Sequence, residues 1–318
     1  MKLGMMLPAV PDRQWELAAQ LGIKYAVTKA SPEQSGLKDP SDYDSLKAVC
    51  DRFQEAGFKL YALEGDEFDM NRIKLGLPGR EEDIQKYCRM LKNMGQLGIK
   101  LLCYNFMGGI GWFRTDINLL ERGGALTCGF DRNSVEEVPL KLTHEKMWNN
   151  YQYFIESVLP AAERAGVKMG LHPDDPPIPE LMGYPRIFTC ASAFRRAMEL
   201  SESPSHGITF CQATFRMMGE DVYELMHEFR ERIFFLHFRD ARGNAEHFTE
   251  TFHDNGDTDM AALMEAAGQH IPDCIVRPDH TPAMAGETNE NTGYTVLGNL
   301  FATGYIRGLA EGKNIRLI

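Results

Sequence analysis

The chain reads as an α/β protein of the (β/α)8 TIM-barrel class, and three observations carry that reading. Eight short apolar runs alternate with about eight stretches of helical periodicity, the pattern of a parallel barrel in which each strand is followed by a covering helix. Gly57-Phe-Lys-Leu, Gly98-Ile-Lys-Leu and Gly166-Val-Lys-Met repeat one solution, a glycine that ends a helix and leads directly into a buried strand. No G-x-G-x-x-G follows the first strand and no G-x-x-x-x-G-K-[ST] occurs anywhere, so a doubly wound nucleotide-binding sheet lacks its usual support.

Taken in order, residues 2–7 form a short apolar strand, and 11–21 place Trp15, Leu17, Ala18 and Leu21 at helical spacing before Gly22 stops the helix. Residues 23–29 are the second strand. Residues 41–56 are helical, with Ser41 as a cap and Gly57 as the stop. Strands at 58–63 and 99–106 flank a helix over 80–97. From 107 to 143 the rhythm breaks, with glycines at 108, 109, 111, 123, 124 and 129, and so long a connection in a compact fold predicts a lid-like insertion. The pattern then resumes with a helix from 143 or 144 to 165 and a strand over 167–171. Helix 191–200 and strand 207–211 follow, then helix 220–231 and strand 233–238. Helix 257–267, strand 274–277 and a closing helix over 295–311 complete it. Neither a linker nor a low-complexity tract divides the chain, so residues 1–318 are expected to form one barrel domain with 107–143 as an insertion in it.

Composition narrows the partners. A hydrophobic fraction of 43% is ordinary for a globular protein, and no stretch reaches the length of a membrane span. The net charge of −11 without a dense Lys/Arg run argues against nucleic acid or an anionic membrane. It still allows a small anionic substrate held by a few buried cations. Seven scattered cysteines without a C-x-x-C pair support neither a disulfide framework nor a zinc ribbon. They suit a reducing cytoplasm. Oligomeric state is open, and a homo-oligomer is compatible with everything in the sequence.

In a barrel of this kind the reactive side chains stand at the C-terminal ends of strands. The last four strands end at His172, Cys211, His237 and Asp279. Each alone has an ordinary reading: a cap, a small buried hydrophobe, a loop partner of Arg277. Together, on adjacent strands of a closed barrel, they form a nitrogen, thiolate and carboxylate set that suits Mn²⁺, Fe²⁺, Co²⁺ or Zn²⁺ better than Ca²⁺ or Mg²⁺. The prolines of His172-Pro-Asp-Asp-Pro-Pro177 stiffen the loop after the first ligand, with Asp174 and Asp175 as loop-fixing carboxylates.

The same residues carry a family resemblance. His172-Pro-Asp-Asp-Pro-Pro177, Cys103-Tyr-Asn-Phe-Met107, Trp112-Phe-Arg-Thr-Asp116, Phe210-Cys211, His237-Phe-Arg239, Arg277-Pro-Asp-His280 and Gly293-Tyr294, with Gly304-Tyr-Ile-Arg-Gly308, resemble the mannonate dehydratase family in order over nearly the whole chain. The chain departs from the family's pattern at Gly108-Gly-Ile-Gly-Trp-Phe-Arg-Thr115, at Gln212-Ala-Thr-Phe-Arg216 and at Asp240. The resemblance implies a xylose-isomerase-like TIM barrel that binds Mn²⁺ or Fe²⁺ and converts D-mannonate to 2-keto-3-deoxy-D-gluconate and water. It places the metal ligands on His172, Cys211, His237 and Asp279 and the further active-site positions on His280 and Tyr294.

Dehydration needs a base for the proton beside the carboxylate and an acid for the departing hydroxyl, and His280 and Tyr294 are the candidates for these roles in either order. Planar guanidinium groups recognise carboxylates, so Arg114 and Arg239 are expected to clamp the substrate, with Asn105 and His253 on its hydroxyls. Two other functions fit the same barrel: a metal-dependent isomerase or epimerase, which moves a proton without expelling hydroxide, and a sugar-acid binding protein without activity.

Overall fold

A computed structural model describes residues 1–318. Eight parallel strands close into a barrel: β1 (Lys2–Met6), β2 (Tyr25–Thr28), β3 (Lys59–Glu64), β4 (Leu101–Tyr104), β5 (Lys168–Leu171), β6 (His206–Cys211), β7 (Ile233–Phe238) and β8 (Ile275–Pro278). Each pairs with its sequence neighbours, and β8 pairs with β1 to complete the ring. The expected (β/α)8 class is therefore the observed one.

The helix-to-strand signature works as its chemistry requires. At Gly166 the backbone turns left-handed (φ 65°) and its N–H reaches the carbonyl of Glu163, which ends the helix His144–Ala165 two residues before β5. That helix starts where Thr143 accepts from the N–H of Lys146. Val27, Ala62, Leu101, Cys103, Phe235 and Ile275 fill the barrel bore, separate from the larger apolar layer between strands and helices. Strands buried on both faces explain the nearly continuous apolar runs in the sequence.

The stretch expected to be an unpatterned lid has its own structure. Asp116–Leu120 and Leu126–Asp131 form a hairpin that joins His247–Thr251 and Asp240–Asn244 in a four-stranded antiparallel sheet at the C-terminal mouth. Phe130, Phe248, Ile178 and Leu181 give this layer its own apolar core. The pairing partners lie more than a hundred residues apart, so no local periodicity announces them. A short helix, Gln212–Met217, also follows β6 directly, ahead of the expected helix, which runs over Val222–Glu228.

Candidate active site

The C-terminal ends of the strands open into a cavity of about 310 Å³. Lys29, Glu64, Asn105, Trp112, His172, His237, Asp279, His280 and Tyr294 are among its lining residues. At its base, the ligand atoms of His172, Cys211 and His237 all lie within 4.8 Å of one another. His172 follows β5, Cys211 ends β6 and His237 lies one residue from the end of β7. Pairing of Cys211 opposite His237 fixes the last two in register.

Whether this trio suits a metal can be judged from its hydrogen bonds. Neither ring nitrogen of His237 has a hydrogen-bond partner although the side chain is buried; the nearest carboxylate oxygens, on Glu64 and Asp279, stand 3.4 and 3.6 Å away. Orphaned buried nitrogens are costly unless something else binds them. His172 donates Nδ1–H to the carbonyl of Pro173 at 2.7 Å, which leaves Nε2 as the ring atom available to a metal, the usual arrangement of a ligating histidine. Burial opposes ionisation of Cys211, but the adjacent Arg239 guanidinium and the His172 and His237 rings hold its thiol well below the ordinary value. The sulfur accepts from Thr214 Oγ1 at 3.1 Å and from Arg239 Nε at 3.3 Å, as a thiolate does. Two imidazoles and a thiolate fit a divalent transition metal.

Two other acidic groupings compete poorly. Glu64, Cys103 and His237 also lie close together, yet burial pushes the Cys103 thiol up and Arg277 already holds the Glu64 carboxylate, with Nε at 3.0 Å. Asp175, Glu250 and His280 form the third group, but its carboxylates are bound to two arginines. Asp279, the expected fourth ligand, stands beside the trio but is not one of the groups whose ligand atoms all lie within 4.8 Å, and its oxygens meet Arg277 (2.9 Å) and Arg239 (3.2 Å). Burial opposes its ionisation, and the neighbouring His280, arginines and His237 more than offset that, holding its carboxyl well below the usual range.

His280 and Tyr294 face the cavity together, their rings 5.4 Å apart and nearly perpendicular. His280 Nδ1 lies 3.0 Å from Glu250 Oε1. A carboxylate can only accept, so Nδ1 carries a proton, and Nε2 is the ring atom left to the cavity, 3.8 Å from Asp279 Oδ1. The Tyr294 hydroxyl donates to Asp279 Oδ1 at 3.3 Å. Trp112, from the mouth layer, sets its ring edge-on to His280 at 5.4 Å.

Three of the expected substrate residues are placed otherwise. Arg114 and Arg239 are buried away from the cavity, and both meet Asp175 and Glu250. Arg114 reaches Asp175 by two hydrogen bonds of 2.7 and 2.9 Å. Guanidinium groups whose charge is met by internal carboxylates, and which do not line the cavity, shape the site from beneath. His253 is fully buried with its ring stacked on Phe238; desolvation pushes its pKa down to about 4, so it stays neutral, out of reach of a hydroxyl. Asn105 does line the cavity. Its Oδ1 accepts from Lys74 Nζ at 2.8 Å and from Met107 N at 3.1 Å, and its Nδ2 donates to Asp66 Oδ1 at 3.5 Å, which leaves one Nδ2 hydrogen without a partner.

The loop carboxylates behave as expected: Asp174 accepts from Phe188 N at 2.9 Å and Asp175 binds the arginines. The departures at 212–216 and 240 are supporting residues, Thr214 on the Cys211 sulfur and Asp240 on Thr258. Sequence reasoning missed Lys29, Glu64 and Glu250. The first two stand at the ends of β2 and β3, so the strand-end rule applied to all eight strands would have found them.

A family model described as D-mannonate dehydratase (UxuA) matches residues 20–144 and 140–315. The mannonate dehydratase of Streptococcus equi subsp. zooepidemicus is 34% identical over 274 residues, covering 76% of this chain and 75% of that one. The crystal structure of mannonate dehydratase from Streptococcus suis serotype 2 superposes with a TM-score of 0.89 at 29% identity, covering 98% of this chain and 93% of the other. An L-ribulose 3-epimerase structure aligns with a TM-score of 0.64 at 15% identity over 99% of this chain and 96% of its own, a likeness of fold alone. With a matching family model across both halves and relatives above 30% identity over most of its length, the chain belongs to the D-mannonate dehydratase family.

Proposed function

We propose that this protein removes water from D-mannonate to give 2-keto-3-deoxy-D-gluconate, with His172, Cys211 and His237 as metal ligands and Asp279 beside them. The observation that carries the reading is the sharing of one cavity by two imidazoles, His172 and the unpartnered His237, and an acid/base pair, His280 and Tyr294. A divalent ion at the trio, Mn²⁺ or Fe²⁺, would supply Lewis-acid stabilisation of the negative charge that develops beside the substrate carboxylate.

The chain's own groups divide the proton transfers. His280 Nε2 takes the proton from C2, while Glu250 holds Nδ1–H and stabilises the imidazolium that results. The Tyr294 hydroxyl gives its proton to the C3 oxygen, which leaves as water. The resulting enol takes up a proton at C3 and gives up its own at O2, which restores both groups. Asn105, which lines the cavity, offers its remaining Nδ2 hydrogen to a substrate oxygen, and Trp112 covers His280 from the mouth.

No helix is long and apolar enough to cross a membrane, and the seven cysteines are free, which supports a reducing cytoplasmic setting. The direct test is incubation of Mn²⁺-loaded protein with a panel of hexonates and detection of 2-keto-3-deoxy products. Turnover of ketoses or aldoses with none of the acids would replace the dehydratase reading with the isomerase one.

A further inference from the structure

The cavity presents a substrate carboxylate with a shortage of available cations. Arg277, Arg114 and Arg239 are committed to Glu64, Asp279, Asp175 and Glu250. Lys74 is buried against Asp66 and Asn105. Of all the residues lining the cavity, Lys29 alone is a lysine or arginine. It forms neither a hydrogen bond from its ammonium nor a salt bridge, in a chain where most cations near the mouth have partners.

Its position is held while its side chain is free. Thr28 just before it donates from Oγ1 to the carbonyl of Leu7 at 2.7 Å, and Ala30 just after it donates its N–H to Glu67 at 2.7 Å. Glu67 is buried, and desolvation pushes its carboxyl well above the ordinary range against the pull of the nearby Lys29, with no hydrogen bond or ion pair joining the two side chains. Beside it, at the end of the paired strand β3, Gly65 adopts φ 101°, and a Cβ there would be in ordinary contact with Lys29 Cδ at 3.8 Å. Lys29 also lines a second cavity of about 210 Å³ beside the first, together with Met6 and Tyr294, so its ammonium has room to settle on a bound anion.

Resting on the sugar-acid reading above, we propose that Lys29 recognises the carboxylate of the substrate and is the residue by which this site selects acids over neutral polyols. An ammonium on a flexible stem pairs with a carboxylate as a point charge, without the fork geometry the buried arginines use internally.

The test uses full-length, Mn²⁺-loaded protein and the variants Lys29→Met and Lys29→Arg. D-mannonate and D-mannitol are titrated calorimetrically, and steady-state kinetics are measured with D-mannonate. A charge-assisted hydrogen bond lost at a partly exposed site corresponds to about a 10- to 100-fold effect. The expected result is that Lys29→Met weakens mannonate binding and raises KM by that factor, with kcat changed far less. Mannitol affinity and one-to-one metal content stay as in the parent, and Lys29→Arg recovers most of the loss. Retention by Lys29→Met of the parent's preference for mannonate over mannitol would overturn the assignment and leave the carboxylate to the metal. Lys29-dependent mannonate binding without turnover by the parent would sink the dehydratase reading and leave the assignment standing.

Discussion

Replacing Glu250 with glutamine separates the chemistry of the site from its architecture. Glu250 is buried, and its Oε1 receives Arg114 Nε at 2.9 Å and His280 Nδ1 at 3.0 Å, with Arg239 Nη1 at 3.3 Å. Glutamine keeps the shape but loses the charge and offers only one acceptor oxygen. Two guanidinium groups compete for that oxygen, so the amide hydrogens turn toward His280. An amide donor at Nδ1 demands the opposite tautomer, and Nε2 then carries a proton where a base is needed. By analogy with other carboxylate-oriented histidines, kcat should fall about 10²- to 10⁴-fold with little change in KM. Stability should fall by about 3 kcal/mol, the low end for breaking a buried ion pair, because Asp175 still holds both arginines. Steady-state kinetics with D-mannonate and urea unfolding of the same preparation read the two effects, with metal content as a control. A variant that loses the stability but keeps kcat within threefold of the parent would refute the tautomer argument and leave Glu250 as a structural counter-ion.

Three further perturbations address separate parts of the structure. Cys211→Ala removes the thiolate from the trio and should abolish stoichiometric metal binding after dialysis; a variant that retains one tightly bound Mn²⁺ would take Cys211 off the ligand set. Trp112→Ala uncovers the edge of His280 and should lower kcat/KM about tenfold, the scale of one lost aromatic contact and its water exclusion, with thermal stability nearly unchanged because the ring is 38% exposed; unchanged kinetics would show that the mouth layer does not shield the reaction. His206, far from the cavity, is buried beside the Tyr151 hydroxyl at 3.1 Å, and desolvation pushes its pKa down to about 4. The unfolded chain takes a proton there near pH 6.5 and the folded one refuses it, so stability is present above pH 6.5 and declines as pH falls toward 4, by roughly 3 kcal/mol. His206→Gln should flatten that acid limb in urea titrations at several pH values; an identical limb in the variant would assign the acid sensitivity elsewhere.

The barrel was legible because it rests on local signals: glycine stops before strands, apolar runs of strand length, caps such as Thr143. The convergence of His172, Cys211 and His237 is legible for the same reason, since a strand end is a position in the sequence as well as in space. What escaped was whatever depends on pairing across long separations. Glu250 reaches His280 from a strand whose hydrogen-bonded neighbour, Leu126–Asp131, lies within the stretch read as a lid. Arg114 and Arg239 were read as substrate clamps because a sequence shows where cations are and conceals which carboxylates answer them.

That concealment has a physical consequence for sites of this type. A buried guanidinium needs internal partners, so the deeper an arginine lies, the less of its charge is available to a ligand. Arg114, Arg239 and Arg277 have no exposed side-chain surface and every one is matched by internal acids. Lys29, half-buried and unpaired at the end of β2, bears the opposite relation to solvent. Recognition of an anion in this cavity therefore falls to a cation that the fold has left solvated, while the arginines hold the carboxylates and the thiolate in the arrangement that a divalent ion requires.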